Sequence, residues 1–405
     1  MAKTGTGWGI GALWAMLGAA AAGVAAGAAA SHAAGRKTRR IARRALAPPP
    51  PPKTPEEFDA EEPGRGRAAS RPEQIPRKGW TDIFWRLGAS YFGDRVGFMA
   101  GGVTFFVALS LFPTLGALVT VYGLFADPSQ AAGRLELLYS VLPPGVARFL
   151  AEEMQRLAEN SNTELTFTLV WTLLLSLWTA NSAVKMLFYS LNVAYHEIER
   201  RNPVRFNLIC MAFTVSGFLA VQLSAALVVG VPVVLGLLGL ADEWNHLTPL
   251  RWPVLLVIYV AALALAYRVG PSRARARWRW VVPGAVFAGL LSLGLSFGFS
   301  WYVQTFVRTA SYGPLAAMMG FLLWTWLTVQ IVILGAELNA EMEHQTAVDT
   351  TTGEPKPIGA RGARVADSVG PRRGNPAALT FTLRHAEALS DRLLRRRARR
   401  QAGRD

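Results

Sequence analysis

Four polar side chains crowd the end of one apolar stretch: Glu337, Asn339, Glu341 and Glu343, in the string LGAELNAEME. Carboxylates in such a place can face an inner cavity and pair with a basic side chain, and ionisable groups at membrane depth are functional candidates by default. Pro314 suits the first position of a helix, where its missing N–H costs nothing. From there to Ala340 a helix measures about 40 Å, slightly more than an apolar bilayer core of about 30 Å requires. Glu337 therefore falls near a membrane boundary, with Glu341 four residues on and on the same helix face. Two readings stay open: a buried carboxylate facing an inner cavity and pairing with Lys185 or Arg95, or a cap that ends the helix in water.

A second polar group, Asn181, Ser182, Lys185 and Asn192, occurs where another apolar stretch ends. Positions 181, 185 and 192 are four and seven apart and share a helix face. They read either as helix–helix hydrogen bonding with a snorkelling lysine or as a polar seam on a headgroup or solute path. Asp94 and Arg95, at the mouth of the first body helix, fit the same cluster. The loop RVGPSRARARWRW alternates Arg273, Arg275, Arg277 and Arg279 with small or aromatic residues and ends in Trp278 and Trp280. Arginine with tryptophan at a boundary is the pattern of an anchor for anionic lipid headgroups. The string RRRARR near the C-terminus is also basic, but lipid contact and topology account for both patches, and no nucleic acid is expected as a partner.

Enzyme chemistry finds little to work with. The five histidines, His32, His196, His246, His344 and His385, are scattered, and Cys210 stands alone. No HxH, HExxH, CxxC, GxSxG or P-loop pattern occurs, so no metal, cofactor or catalytic residue is expected. His196-Glu197, beside Glu199 and Arg200, reads as a solvated, paired helix end.

The elements that must position these residues are apolar. Hydrophobic residues make up 51% of the 405 residues and charged ones only 17%, against about 25% in an average globular protein, yet the net charge is +15. That balance excludes both a soluble fold and a disordered chain, and it describes a membrane body with basic aqueous parts. Six segments meet the need for about 20 apolar residues: Val96–Phe125, Leu165–Val184, Phe206–Leu240, Trp252–Val269, Val281–Val307 and Pro314–Ala340. Lys and Arg alternate between the connecting loops, being dense in 185–205 and 268–280 and sparse in the others. That alternation makes those two loops and both tails of the body cytoplasmic.

The expected architecture is all-α: a polytopic transmembrane bundle of six core spans. To these the sequence adds an N-terminal Ala/Gly-rich span at Trp8–Ala30 with GxxxG spacing, and an outer amphipathic helix at Gly145–Asn160. The domains are then a membrane anchor (1–30), a Pro-rich basic cytoplasmic linker (31–79), the membrane domain (80–344) and a basic, largely disordered tail (345–405) with a short amphipathic helix. The helix through Leu165–Val184 has no proline before Arg200, so it either protrudes into the cytoplasm or bends near Asn192. Pro113 and Pro232 should kink their spans.

Three strings resemble the YihY/virulence factor BrkB family of bacterial inner-membrane proteins. They are GDRVGFMAGGVTFFVALSLFPTLGALVTVYGLFADP, SLWTANSAVKMLFYSLNVAYHEIERRNPVRF and YGPLAAMMGFLLWTWLTVQIVILGAELNAEMEH, and the similarity runs from about Trp80 to His344. The resemblance implies a six-helix membrane domain with both ends cytoplasmic and a link to the cell envelope, and Glu337, Asn339, Asn192 and Lys185 match its motif blocks. The family also carried the label ribonuclease BN, but metal-dependent ribonucleases need a clustered His/Asp set that these histidines do not supply. The expectation is a multi-pass, non-enzymatic protein of the bacterial inner membrane, C-terminus cytoplasmic, that moves or organises envelope lipid. It would contact anionic headgroups on the cytoplasmic side, with a homo-oligomer left open. The alternatives are an exporter or channel for a small polar solute and, behind it, a membrane-bound ribonuclease.

Overall fold

Apolar runs without an internal charge form helices because lipid offers the backbone no hydrogen-bonding partner. The computed structural model describes residues 53–125, 162–225, 251–306 and 313–374. Within them lie eight α-helices: α1 (Pro55–Glu61), α2 (Arg77–Gly93), α3 (Val96–Phe125), α4 (Asn162–Ala194), α5 (Pro203–Ala225), α6 (Arg251–Val269), α7 (Trp278–Phe306) and α8 (Gly313–Glu343). No strand occurs among the described residues; one isolated antiparallel bridge joins Ala276 and Thr351. The protein is all-α, and α3 to α8 fall on the six expected segments. By length and apolarity four stretches qualify to cross a membrane, Pro203–Val221, Trp252–Val269, Trp278–Val303 and Met318–Glu343. The pair α2–α3, bent by 60° at its junction, makes a fifth if it counts as one span. The expected segments at 8–30 and 145–160, the helix at 379–400 and Pro232 lie outside the described residues.

Helix α3 packs along α4 and against α8; α7 packs on both α6 and α8; α4 touches α5. The core they share includes Val96, Phe188, Cys210, Tyr267, Ala285 and Ile333. Large apolar side chains such as Phe98, Trp171, Leu219, Phe297 and Trp301 stay exposed around it. In water a surface of that kind drives association, whereas lipid tails solvate it. The contact between α7 and α8 is unusually close. A Cβ on Gly335 would lie 2.7 Å from both the Gly284 carbonyl oxygen and the Tyr267 hydroxyl, and one on Gly284 would lie 2.2 Å from the Gly335 carbonyl oxygen. Small residues are what allow two membrane helices to approach this far.

Two expectations need correction. Residues 53–79 are not an open linker, and residues 345–374 are not a disordered tail: both fold onto one end of the bundle, hereafter the polar end. Arg67 is 1% exposed and donates to Glu62 and to the carbonyls of Gln345 and Gly370. Arg361 donates to the carbonyls of Ala347 and Ala366, and Ala274 N donates to Gly362 O. Buried arginines satisfy carbonyls that irregular chain would otherwise leave to water, so a Gly/Pro-rich polar string folds without a core of its own. Of the two courses open to the long helix, the structure shows the turn close to Asn192. Helix α4 stops at Ala194, and His196 takes a left-handed backbone conformation (φ 53°) that turns the chain back.

Gly335→Ala should lower the thermal unfolding temperature in detergent, at a cost of about 1–3 kcal/mol for forced separation of α7 and α8. Gly294→Ala, whose Cβ would meet nothing within 4 Å, should leave it unchanged or raise it.

Candidate functional site

Polar residues recur every fourth position along α2, at Asp82, Arg86 and Ser90, and the series continues to Asp94, which caps its C-terminus. Residues four apart lie one above another on a helix, so these form one polar stripe. It is buried, while Phe84 and Phe92 on the opposite face are 53% and 79% exposed. The stripe faces α8, whose last turns are buried from Gly335 through Ala347 on every side. Two residues along a helix turn it about 200°. Glu337 and Glu341 therefore look one way, toward α2, and Asn339 and Glu343 look the other, toward α7 and the loop before it.

Most of these side chains have an evident partner. Arg86 donates to the Glu341 carboxylate at 2.5 Å, to the Glu341 carbonyl and to Gln345 Oε1, and Ser90 donates to Glu341 Oε1. Asp82 pairs with Arg65 and accepts from Arg373 N. Further into the span, Tyr91 donates to Gln330, and Trp326 Nε1 donates to Gly97 O. On the far face, Arg273 grips Glu343 with two bonds of 3.0 and 2.5 Å, and Thr350 donates to the same carboxylate. Asn339 accepts from Gly284 N and donates to Val281 O, each at 2.8 Å. These backbone groups flank Pro283, which has no N–H to give to α7.

Glu337 is the exception. Its side chain is fully buried, and neither carboxylate oxygen accepts a hydrogen bond from a described residue. The charged groups acting on it are the carboxyls of Asp94 and Glu341. The expected pairing with Lys185 or Arg95 is absent, for a structural reason in each case. Arg95 occupies a left-handed position (φ 55°) at the α2–α3 bend and is exposed. Lys185 is half-buried on the side of α4 near Cys210 of α5. The buried Tyr195 hydroxyl lies close enough for Asn339, Glu337 and Glu343 to act on it, but makes no hydrogen bond of good geometry to a described residue.

The remaining candidates divide. Asn181 is buried and donates to Asn207 of α5, a helix–helix hydrogen bond. Asn192 accepts from Ser272 N and donates to Glu199, so it ties the turn after α4 to the loop after α6. Neither joins Glu337 in one cavity. The arginine loop also splits: Arg275, Arg279 and Trp278 are exposed, and Arg277 is half-buried with its Nε on Thr351 O. Arg273, whose side chain is 2% exposed, and Trp280, 1% exposed, are interior residues and not headgroup contacts. Residues two apart in an extended chain share a face, so the spacing alone would put all four arginines on one side; the loop does not hold that register, and Arg273 turns inward onto the Glu343 carboxylate. His196-Glu197 is not solvated either: Glu197 is 7% exposed and accepts from Arg364 N. The sequence reading missed the α2 stripe, although its fourfold spacing between Trp80 and Asp94 was there to find.

Glu199 turns these contacts into a pH dependence. Burial alone would raise its pKa, but hydrogen bonds from Arg201 and Asn192 and the Arg201 charge outweigh that and hold it near about 2. A carboxylate with a depressed native pKa adds stability above its unfolded pKa, of about 4.3, and loses it as pH falls toward the native value. Glu199→Gln should therefore flatten the loss of thermal stability between about pH 5 and pH 2, measured by fluorescence-detected unfolding. Arg86→Ala should cost about 3–5 kcal/mol by leaving Glu341 buried without its cation. Arg86→Met combined with Glu341→Leu should restore most of that loss.

Comparison with known proteins places this geometry. A family model described as virulence factor BrkB matches residues 89–358. The putative ribonuclease-like protein YfkH of Bacillus subtilis is 26% identical over 244 residues, 59% of this chain and 86% of that protein. The UPF0761 membrane protein Mpe_A1422 of Methylibium petroleiphilum is 25% identical over 283 residues, 68% of this chain and 66% of that one. The UPF0761 membrane protein NTHI0384 of Haemophilus influenzae is 21% identical over 278 residues, covering 97% of its length. No solved structure matches. The matched region takes in the end of the α2 stripe, all of α3 to α8 and the first part of the folded segment after α8, and on that extent the chain belongs to the virulence factor BrkB family of membrane proteins.

Proposed function

We propose that this protein is a non-enzymatic, multi-pass protein of the bacterial inner membrane that moves or organises envelope lipid, with the polar end on the cytoplasmic side. The observation that carries the reading is the arginine loop between α6 and α7. Arg275, Trp278 and Arg279 are exposed beside the polar end, while Arg273 of the same loop is locked into the bundle on Glu343. Trp278 also stacks under the Arg268 guanidinium, 4.4 Å from its ring centroid. A cationic, aromatic rim held rigidly at the end of an apolar body matches the level at which anionic headgroups lie. The charge alternation of the loops supports the orientation.

A solute channel fits less well. Hydroxyls inside the spans, such as Thr104, Thr179, Thr214 and Ser296, donate to carbonyls on their own helices and line no shared path. A nuclease reading draws on names alone, the family's ribonuclease BN label and the ribonuclease-like name of YfkH. Among the described residues no group of three or more His, Cys, Asp or Glu is arranged to hold a metal ion.

The test is lipid mass spectrometry on protein purified from its membrane, beside a fluorescent-lipid redistribution assay in vesicles. Wild type should retain anionic lipid above the bulk membrane level and speed redistribution, and Arg275→Gln/Arg279→Gln should lose several-fold of both. A bulk-like lipid profile with no redistribution by wild type would end the lipid reading.

A further inference from the structure

One contact of the ladder between α2 and α8 has the wrong sign for structure alone. Arg65 answers Asp82, Arg86 answers Glu341, and Arg273 answers Glu343. Opposite Glu337 stands another carboxyl, that of Asp94, with Glu341 one turn away. Among the described residues no cation acts on Glu337: Arg95 is exposed at the bend, and Lys185 lies toward Cys210 of α5. Arg86 is bound to Glu341 and Gln345, and Arg273 to Glu343. His344 contacts Ser368 and lies 3.8 Å from Glu341, with the His196 ring 6.5 Å beyond it. From the end of α4 comes only the Tyr195 hydroxyl, a neutral donor.

A single carboxylate stripped of water and of any cation costs several kcal/mol, and two side by side repel as well. One proton removes both penalties, because it neutralises one carboxyl and makes it a donor to the other. We infer that Glu337 and Asp94 together bind one exchangeable proton, forming a protonation site where α8 meets the α2–α3 bend. The ligand is the proton itself. It adds to one carboxylate oxygen on binding and leaves to water on release, with no other bond changed. Access lies at the bend: Asp94 is half-buried, while Gly93 and Arg95 on either side of it are exposed. The site stands on the ladder's geometry and does not depend on what the protein moves.

Infrared difference spectroscopy on the full chain in lipid, near neutral pH and in H₂O against D₂O, reads such a proton directly. Wild type should show a protonated-carboxyl C=O band that shifts on deuteration. Glu337→Gln should remove that band or move it to Asp94, and Asp94→Asn should shift its frequency by removing the hydrogen-bonding partner. Glu337→Gln keeps the shape and lacks the charge, so it should unfold within a few degrees of wild type. Spectra of wild type and both variants that superimpose in the protonated-carboxyl region would overturn the proposal. So would failure of Glu337→Gln to fold while Asp94→Asn folds without any change in the band, since the ionised form of Glu337 would then be what the structure requires.

Discussion

The burial of a charged helix end governs the polar end of this molecule. From Gly335 to Ala347 helix α8 and its continuation have no exposed residue, although this stretch contains three carboxylates, an asparagine, a histidine and a glutamine. Desolvating a carboxylate costs more than most single contacts return, so Glu341 and Glu343 each meet a cation and a further donor, and Glu337 alone does not. The rest of the polar end follows from that demand. Helix α2 lies against α8 because Arg86 must reach Glu341. The α6–α7 loop dips inward because Arg273 must reach Glu343. The segment after α8 folds back because Arg67 and Arg361 take up its carbonyls.

This demand also explains which parts of the structure were legible in the sequence. Helices α3 to α8 could be read because lipid solvation writes a single rule along the chain, about 20 residues without a charge. Depth alone made Glu337, Asn339 and Glu341 candidates and left open whether they lie in the bundle or cap the helix in water; the fold buries all three. Their partners could not. Arg67, Arg86, Arg273 and Arg361 look in sequence like any solvated basic residue, and only the fold brings each to a carbonyl or a carboxylate. Composition misled at the two flanking segments for the same reason: 53–79 and 345–374 resemble unfolded chain, yet their buried hydrogen bonds run to residues hundreds of positions away. Lys185 was drawn into the site by sharing a face with Asn181 and Asn192, but a shared helix face does not say which neighbour it meets.

The site is set apart by contrast with its surroundings. Ion pairs such as Arg86–Glu341 and Arg273–Glu343 fix the packing of α2, α8 and the arginine loop, and a fixed pair has little reason to change state. Asn339 serves packing too, holding the backbone of α7 on either side of Pro283. Against this background Glu337 contributes nothing to packing that an apolar residue would not supply at lower cost. A buried carboxyl without a structural partner is explained by what it binds.

The position of α2 gives that binding a direction of influence. Its inner face carries Arg86 and Ser90 and leads to Asp94, while its outer face presents Phe84 and Phe92 to the surroundings. An exposed apolar face and the polar ladder thus occupy opposite sides of one helix, a single helix diameter apart. The 60° break at Asp94 and Arg95 is where this helix joins the first long span. Two negative charges at that break would push α3 from α8, whereas one shared proton would hold them together. Anything that shifts α2 through its exposed outer face would in turn alter how closely Asp94 meets Glu337. The reciprocity is thermodynamic: if protonation favours one placement of α2, whatever favours that placement tightens the hold on the proton by the same factor.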